Sequence, residues 1–213
     1  MKEIWFASSN IGKTNEMKML LNRLINDGRL VLHSQGELPV FSAPPETGTT
    51  FEANARIKAK SLKAMKPGTW VFGEDSGLAV EGLNGLPGVH SARYAGPKAQ
   101  DAENVAKLLK MMTLKQMANR KAAFISCIVA YDPEGQEHVF EGKLEGEIAK
   151  AAKGTAGFGY DPVFVPPMQE NGQETGQTKT LAELGLGFKN KISHRAKASA
   201  PFIALLESRL AGG

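Results

Sequence analysis

The stretch KEIWFASSNIGKTNEMKMLLNRLINDGRLVLHS, residues 2–34, contains an apolar run, an amphipathic segment and a second apolar run. Residues 2–8 have the short apolar pattern of a β-strand, and residues 11–26 repeat apolar side chains at helical spacing. Residues 29–34 are typical of a second strand. A strand, a helix and a second strand in succession favour the α/β fold class.

The remaining segments predict further helices and strands that complete a mixed sheet. Helices are predicted at 51–65, 101–117, 180–184 and 193–210, and strands at 69–73, 122–131, 138–147 and 163–165. The turn signature Asp132-Pro133-Glu134-Gly135 predicts that the strand after it returns antiparallel to the strand before it. The sheet is therefore expected to have a parallel half and an antiparallel half, flanked by helices.

Length and composition exclude several broad classes of protein. The 213 residues are enough for a single domain or for two closely packed lobes. The 42% hydrophobic and 23% charged residues exclude disordered, fibrous and coiled-coil proteins. No stretch approaches the roughly 18–20 apolar residues of a membrane span, and the start has no signal-peptide pattern. We therefore expect a soluble, cytoplasmic protein with no membrane partner.

The positive charge is small and spread along the chain. The 26 Lys and Arg residues against 22 Asp and Glu residues give a net charge of +4. Lys58, Lys60, Lys63 and Lys66 lie among alanines, which is typical of a solvated helix face. Because nucleic-acid binders concentrate positive charge on one face or in a tail, this distribution favours small anionic substrates over DNA or RNA.

The turn between the first strand and the first helix is the first candidate site. It reads Ser8-Ser9-Asn10-Ile11-Gly12-Lys13-Thr14, with Ser9 or Asn10 as the expected N-cap. A helix N-terminus offers free N–H groups and a positive dipole to an anion, and Lys13 adds a cation. The segment nearly matches the phosphate-binding pattern G-x-x-x-x-G-K-[ST], with Ala7 in place of the first glycine. The alternative is a capped helix with an exposed lysine.

Acidic residues form the second candidate site. Glu74 and Asp75 end a short apolar strand, before a sharp turn expected at Ser76-Gly77, and Glu46 and Glu52 lie upstream. A carboxylate pair from two such segments, completed by waters and phosphate oxygens, suits Mg²⁺. The alternative is that each acid is a solvated surface residue.

Two further segments complete the candidates. In Gly157-Phe158-Gly159-Tyr160-Asp161-Pro162, glycines flank an aromatic ring that is suited to stacking on a nucleobase, unless Phe158 is simply part of the core. In Lys189-Asn190-Lys191-Ile192-Ser193-His194-Arg195, cationic side chains near a helix start suit an anion or a carbonyl oxygen. Ser193 as an ordinary N-cap among solvated charges is the alternative.

In their order and spacing these segments resemble the inosine triphosphate pyrophosphatase family. The matching blocks are Ser9-Asn10-x-Gly12-Lys13-x-x-Glu16, Glu46-Thr47-Gly48-x-x-Phe51-x-x-Asn54-Ala55-x-x-Lys58-Ala59, Asp75-Ser76-Gly77-Leu78, Pro87-Gly88-Val89-x-Ser91-Ala92-Arg93-Tyr94, Gly157-Phe158-Gly159-Tyr160-Asp161-Pro162 and Ser193-His194-Arg195. The blocks cover nearly the whole chain, and six blocks in order make the resemblance specific.

The resemblance implies an elongated mixed β-sheet flanked by helices, in a single domain over residues 1–213 with two lobes around a central substrate cleft. It implies hydrolysis of ITP, dITP and XTP to the monophosphate and pyrophosphate with Mg²⁺, which keeps these nucleotides out of DNA and RNA. A homodimer is also implied.

The resemblance assigns a role to individual residues as well. It implies that Asp75 is the general base and that Glu46 and Asp75 hold the metal ion. The substrate-binding residues that it implies are Ser8, Ser9, Asn10, Ile11, Gly12 and Lys13 for the triphosphate, Ser76 beside them, Phe158, Gly159, Tyr160 and Asp161 for the purine, and Lys189, His194 and Arg195 around the base and its six-position oxygen. The family more often has Asp at the position of Glu74.

Three other functions remain open at this point. A P-loop NTPase would release phosphate and a diphosphate, although Ala7 counts against it. A nucleotide- or RNA-binding module without catalysis would have no use for acids in its phosphate site. An enzyme of the same family acting on a modified pyrimidine is the third alternative.

Overall fold

The computed structural model describes residues 2–116, 119–167, 169–170, 173–174 and 178–211. The helices are α1 (Ile11–Leu20), α2 (Asn22–Asn26), α3 (Phe51–Met65), α4 (Asp101–Leu114), α5 (Leu181–Leu184), α6 (Leu186–Ile192) and α7 (His194–Ala211). The strands are β1 (Lys2–Phe6), β2 (Leu30–Ser34), β3 (Trp70–Val80), β4 (Lys121–Tyr131), β5 (Glu137–Ile148), β6 (Phe164–Val165), β7 (Gln169–Glu170) and β8 (Gln173–Glu174). Within these ranges every helix is too short or too polar to span a lipid bilayer.

Six of the strands form one mixed sheet in the order β2-β1-β3-β4-β5-β6. Strand β1 runs parallel to both β2 and β3, with Ile4 opposite Leu32 on one side and Trp70 on the other. Strands β5 and β6 pair antiparallel, with Ile148 opposite Phe164. The prediction of an α/β fold with a mixed sheet is confirmed.

The chain divides into two compact units. The first consists of Met1–Asp75, Ser126–Gly142 and His194–Gly213, and the second of Ser76–Ile125 and Lys143–Ser193. Each unit has its own apolar core. Buried members of the first core include Ile4, Phe6, Phe72 and Phe202, and those of the second include Leu78, Val80, Leu108 and Phe164.

Strand β3 is longer than the sequence predicted. The turn expected at Ser76-Gly77 is absent, because the strand continues through these residues to Val80. Leu78 and Val80 are both fully buried in the second core, so their burial favours an extended backbone over a turn. Asp75 therefore lies inside a strand, and its neighbour Ser76 begins the second unit.

The helices differ from prediction at four places. The helix expected over residues 11–26 is split at Leu21 into α1 and α2, and α6 was not predicted. Helix α4 ends at Leu114, whereas the predicted end at Met117 lies outside the described residues. Helix α7 is continuous through Pro201, so the new start that was one of the two expectations there is wrong, and the kink stays a prediction.

Strand β3 packs against α3 with no side chain between them at Gly73. A Cβ at this position would lie 2.4 Å from the carbonyl oxygen of Ala55 and 2.8 Å from the amide nitrogen of Ala59, both far inside contact distance. Glycine is therefore required where the strand crosses the helix. The close approach brings Asp75, two residues later, beside the α3 side chain of Lys58.

A second close approach fixes the start of α7. A Cβ on Gly142 of β5 would lie 2.1 Å from the carbonyl oxygen of His194 and 2.4 Å from the amide nitrogen of Ala198. The first turn of α7 therefore lies directly on β5, and the side chains of His194 and Arg195 are buried.

A buried carboxylate, Asp132, lies at the turn after β4. Asp132 is 1% exposed, its Oδ1 accepts the amide N–H of Gln136 at 2.8 Å, and its Oδ2 lies 3.3 Å from His138 Nε2 and 3.9 Å from Arg209 Nη2. Burial alone would raise the pKa of Asp132, but the hydrogen bonds from Gln136 and His138 and the charge of Arg209 lower it below its ordinary value.

We expect Asp132→Asn to lower the free energy of unfolding by about 1.5–3 kcal/mol at pH 7, the range for hydrogen bonds to charged groups. A carboxyl whose folded-state pKa is depressed stabilises the protein above its unfolded pKa, and this contribution is lost as the pH falls through the folded-state pKa. The difference in the free energy of unfolding between wild type and variant should therefore shrink as the pH falls below 3.8, the ordinary pKa of this carboxyl. Urea titrations between pH 7 and pH 3 measure it, with Glu134→Gln, an exposed carboxylate in the same turn, as control. A difference that is constant across this range would contradict the prediction.

Candidate active site

The turn before α1 has the features of an anion-binding site. Asn10 is the N-cap of α1 and its side-chain oxygen accepts the amide N–H of Lys13 at 2.9 Å, as predicted. Among the described residues, the amide groups of Ser9, Ile11 and Gly12 donate no hydrogen bond. Three N–H groups at the positive end of a helix are thus available to an anionic ligand.

The backbone at Ala7 differs from that expected of a P-loop. The amide N–H of Ala7 donates to the carbonyl oxygen of Phe72 at 2.8 Å, which extends the pairing of β1 with β3. Ala7 is 2% exposed. The residue in the position of the first P-loop glycine is therefore part of the sheet, and the cradle for an anion is confined to the residues that follow it.

Two carboxylates of the first unit converge on one ammonium group. The Nζ of Lys58 lies 2.7 Å from Glu46 Oε1 and 2.8 Å from Asp75 Oδ1. Asn54, which is fully buried, donates from Nδ2 to Asp75 Oδ2 at 3.2 Å, and its Oδ1 accepts the amide N–H of Gly48 at 2.8 Å. Asn54 thereby connects the loop that carries Glu46 to the strand that carries Asp75.

The electrostatics of this group follow from its burial. Burial raises the pKa of the Asp75 carboxyl above its ordinary value, although Lys58 and Lys13 act in the opposite direction. Burial also lowers the pKa of Lys58, but the carboxylates of Asp75 and Glu46 outweigh it, so that the pKa of Lys58 is raised. Asp75 is thus a carboxylate of increased basicity held next to a stable cation.

Glu74 points into a second set of charges, which is buried except at Lys13. Its Oε2 lies 2.8 Å from Lys13 Nζ, and its Oε1 accepts hydrogen bonds from Arg195 at 3.1–3.2 Å and from Ser126 at 2.8 Å. Arg195 also forms an ion pair with Glu16. Burial alone would raise the pKa of Glu74, but the cations of Arg195 and Lys13 hold it well below its ordinary value.

Lys13 connects the anion-binding turn with the acidic residues. Its ammonium group pairs with Glu74, and Glu74 is the immediate neighbour of Asp75 in β3. Successive residues of a strand point to opposite faces, so Glu74 and Asp75 face different partners. The charge of Lys13 also acts to lower the pKa of Asp75, so the turn lies near the Glu46–Asp75 pair as well as near Glu74.

The aromatic loop of the second unit is held by a buried ion pair. Lys189 Nζ lies 2.6 Å from Asp161 Oδ2, and both side chains are at most 3% exposed. The same carboxylate oxygen accepts the amide N–H of Phe158 at 2.9 Å, and the ammonium group lies 4.4 Å from the centroid of the Phe158 ring. A Cβ on Gly157 would lie 2.1 Å from that oxygen, so only glycine fits there.

The sequence matches the Ham1 family over residues 4–205. The chain belongs to the Ham1 family. A dITP/XTP pyrophosphatase of Bdellovibrio bacteriovorus is 54% identical over 206 residues, which cover 97% of this chain and 98% of that protein. A dITP/XTP pyrophosphatase of Bacillus licheniformis is 43% identical over 208 residues, which cover 97% of this chain and 99% of that protein.

Solved structures of Ham1 proteins have the same fold. The Staphylococcus aureus Ham1 protein aligns with a TM-score of 0.79 and 38% identity, covering 98% of this chain and all of that one. The nucleoside-triphosphatase and dITP/XTP pyrophosphatase of Mycobacterium abscessus aligns with a TM-score of 0.71 and 40% identity, covering 96% and 99%. The resemblance drawn from the sequence motifs is confirmed at the level of family and fold.

The interpretation of the α3 lysines as a solvated helix face was wrong for Lys58 and Lys63 of this Ham1 chain. Lys58 was placed on a solvated face, but its side chain is 15% exposed and bridges Glu46 and Asp75. Lys63 likewise donates to the carbonyl oxygens of Thr69 and Asp132 at 2.7 Å. The signal that was available is helical spacing, because Lys58 lies four residues after the buried Asn54.

The sequence also gave no role to Glu16 and Ser126, which complete the buried charge cluster. Arg195, which the resemblance places beside the base, is 1% exposed and directs its guanidinium group at Glu16 and Glu74. Its contact with substrate stays a prediction, as do those of Ser76 and His194. The same holds for the other residues assigned by resemblance.

Proposed function

We propose that this chain hydrolyses the deaminated purine nucleotides ITP, dITP and XTP to the monophosphate and pyrophosphate, in a reaction that uses Mg²⁺. The ion pair between Lys13 and Glu74 carries this proposal, because it joins a phosphate-binding turn to the strand that holds Asp75. Relatives named dITP/XTP pyrophosphatase, of which one is 54% identical over nearly the full length, support the choice of substrate. Removal of these nucleotides keeps them out of DNA and RNA.

The carboxylates of Glu46 and Asp75 fit a magnesium ion. Both bind the same ammonium group of Lys58, so their oxygens already converge on one cation. Carboxylate oxygens, with waters and substrate phosphates, are the ligands that Mg²⁺ takes in phosphoryl-transfer sites. When bound there, Mg²⁺ supplies polarisation of the phosphoryl oxygens.

The protein's own groups account for the rest of the reaction. The amides of Ser9, Ile11 and Gly12 and the ammonium group of Lys13 bind the phosphates and stabilise the charge that develops on the leaving pyrophosphate. Asp75, whose pKa is raised by burial, orients a water and takes its proton as that water attacks the α-phosphorus. Asn54 holds the Asp75 carboxylate in place.

The proposal takes the residues that bind the purine base from the family resemblance. Phe158, with Lys189 against its ring, stacks on the purine. Lys189, His194 and Arg195 favour the acceptor oxygen at the six-position of hypoxanthine or xanthine over the donor amine of adenine. Sites that hydrogen-bond one group can reject its replacement by about 10⁴–10⁵-fold.

A product assay tests the proposal and its main competitor. ITP, XTP, ATP and GTP are incubated with the protein, with Mg²⁺ and with excess EDTA, and pyrophosphate and phosphate are measured separately. We expect pyrophosphate and monophosphate from ITP and XTP, much faster than from ATP or GTP, and only with Mg²⁺. Phosphate with a diphosphate would instead establish a P-loop type of hydrolysis, and absence of turnover would favour a binding module.

Two further parts of the proposal rest on family resemblance. We propose a homodimer and a cytoplasmic location. Sedimentation equilibrium of the purified chain tests the first, since a dimer has twice the chain mass, and fractionation of the source cells tests the second.

A further inference from the structure

We propose that Asp101 is a positioning residue for the aromatic loop, here defined as residues 157–160, and that it acts by holding the backbone of Gly159. The inference rests on the proposed function, in which this loop stacks on the purine base. Asp101 is the first residue of α4, and its Oδ2 accepts the amide N–H of Gly159 at 2.6 Å. The two residues are 58 positions apart in the chain.

The aromatic loop needs external restraint because of its glycines. Gly157 has a φ of 83° and Gly159 a φ of 62°, both in the left-handed region. Glycine loses more conformational freedom on ordering than any other residue, so ordering a segment with two glycines costs a large conformational entropy. Contacts that hold these peptides before the substrate arrives reduce the cost of binding.

Two restraints on the loop come from buried groups. Asp161 accepts the amide N–H of Phe158 while paired with Lys189. The hydroxyl of Tyr160, which is 4% exposed, donates to the carbonyl oxygen of Ser91 at 2.9 Å. These contacts hold the Phe158 amide and the Tyr160 side chain. The carbonyl oxygen of Phe158 accepts the amide N–H of Asp161 at 3.3 Å, which leaves the amide N–H of Gly159 to a third partner.

Asp101 supplies the third restraint from outside the core. Its side chain is exposed, and the hydrogen bond to Gly159 is charge-assisted and short. Because the partner is a backbone N–H, the contact fixes the orientation of the peptide that follows the Phe158 ring. Replacing Asp101 removes this restraint and leaves the packed interior of the second unit unchanged.

The expected effect falls on substrate binding. The purine base is remote from the reacting phosphorus, so the stacking energy that is lost is the same in the ground state and in the transition state. KM therefore rises while kcat is retained. We expect Asp101→Ala to raise KM for ITP by about tenfold, the size of effect typical for a charge-assisted hydrogen bond at a partly solvated position. Asp101→Asn keeps an acceptor oxygen and should recover part of the loss.

Glu103 provides the matched control. It lies in the same first turn of α4 and carries the same charge, but its carboxylate accepts the amide N–H of Gln100 and not a loop amide. Glu103→Ala therefore removes the same helix-dipole interaction without touching the aromatic loop. Comparing the two alanine variants separates loop positioning from a general effect on α4.

The experiment measures steady-state kinetics with ITP and hydrogen exchange of residues 157–161 in wild type and the three variants. Support is a KM increase confined to the Asp101 variants, with exchange of the Gly159 amide fastest in Asp101→Ala and intermediate in Asp101→Asn. Equal behaviour of Asp101→Ala and Glu103→Ala in KM and in exchange would overturn the proposal, and so would a loss in kcat with KM unchanged. Exchange is read without substrate, so positioning is tested even if wild type fails to hydrolyse ITP, a result that would overturn the proposed function alone.

Discussion

Replacement of Asp75 by asparagine is expected to lower kcat for ITP by about 10²–10⁴-fold, the contribution of a positioned general base. Asparagine has the same shape, and its single carbonyl oxygen can still accept a hydrogen bond from Lys58, which lies 2.8 Å from Oδ1 of Asp75, although the contact of Asn54 with Oδ2 is lost. It carries no negative charge and cannot take a proton from water. The folded structure should therefore survive while the chemical step is lost.

The measurement is the rate of pyrophosphate release at saturating ITP, together with the thermal midpoint of unfolding. Glu52→Gln is the matched control, because Glu52 is an exposed carboxylate on the same helix as Asn54 and Lys58 and pairs with Arg56. Glu52→Gln should keep wild-type kcat. An Asp75→Asn variant that is folded and turns over within threefold of wild type would exclude Asp75 as the base.

Replacement of Glu74 by glutamine is expected to have the largest effect on stability. Glu74 is 1% exposed and faces the cations of Lys13 and Arg195, and Arg195 is itself 1% exposed. With glutamine at position 74, the guanidinium group of Arg195 keeps its ion pair with Glu16 but loses the carboxylate of Glu74. Removing one partner of a buried ion pair costs about 3–5 kcal/mol, because the other charge stays desolvated.

Urea unfolding of the isolated chain at neutral pH measures this loss. Glu207→Gln is the control, since Glu207 forms an exposed ion pair with Arg23 at 3.8 Å, and such pairs contribute about 0–1 kcal/mol. The double variant Glu74→Gln with Arg195→Met should lose less stability than the sum of the single variants, because both charges are then removed. A Glu74→Gln variant as stable as Glu207→Gln would show that the buried cluster contributes little to folding.

Local patterns in the sequence were sufficient for most of the secondary structure. The helix over Phe51–Met65 and the strands at Lys2–Phe6 and Lys121–Tyr131 lie where periodicity and end signals predicted them. Asn10 is the N-cap of α1, as its place before the helix indicated. These features depend on neighbours within a few residues, which is the range over which capping and apolar spacing act.

The motifs were also sufficient for the family. Six short blocks in a fixed order identified the resemblance, and the match over residues 4–205 confirms it. What the blocks left open was which side chains meet. Lys58 was misplaced because a lysine among alanines has the same local pattern whether it faces water or a buried carboxylate.

The side-chain pairing was decided by the tertiary structure alone. Arg195 meets Glu74 across 121 positions of the chain, and Asp101 meets Gly159 across 58. Strand β3 continues past Asp75 because Leu78 and Val80 are buried in a core that other segments complete. Local spacing cannot encode such contacts, since burial and electrostatic pairing depend on which distant segments the fold brings together, and the candidate site is built almost entirely from contacts of this kind.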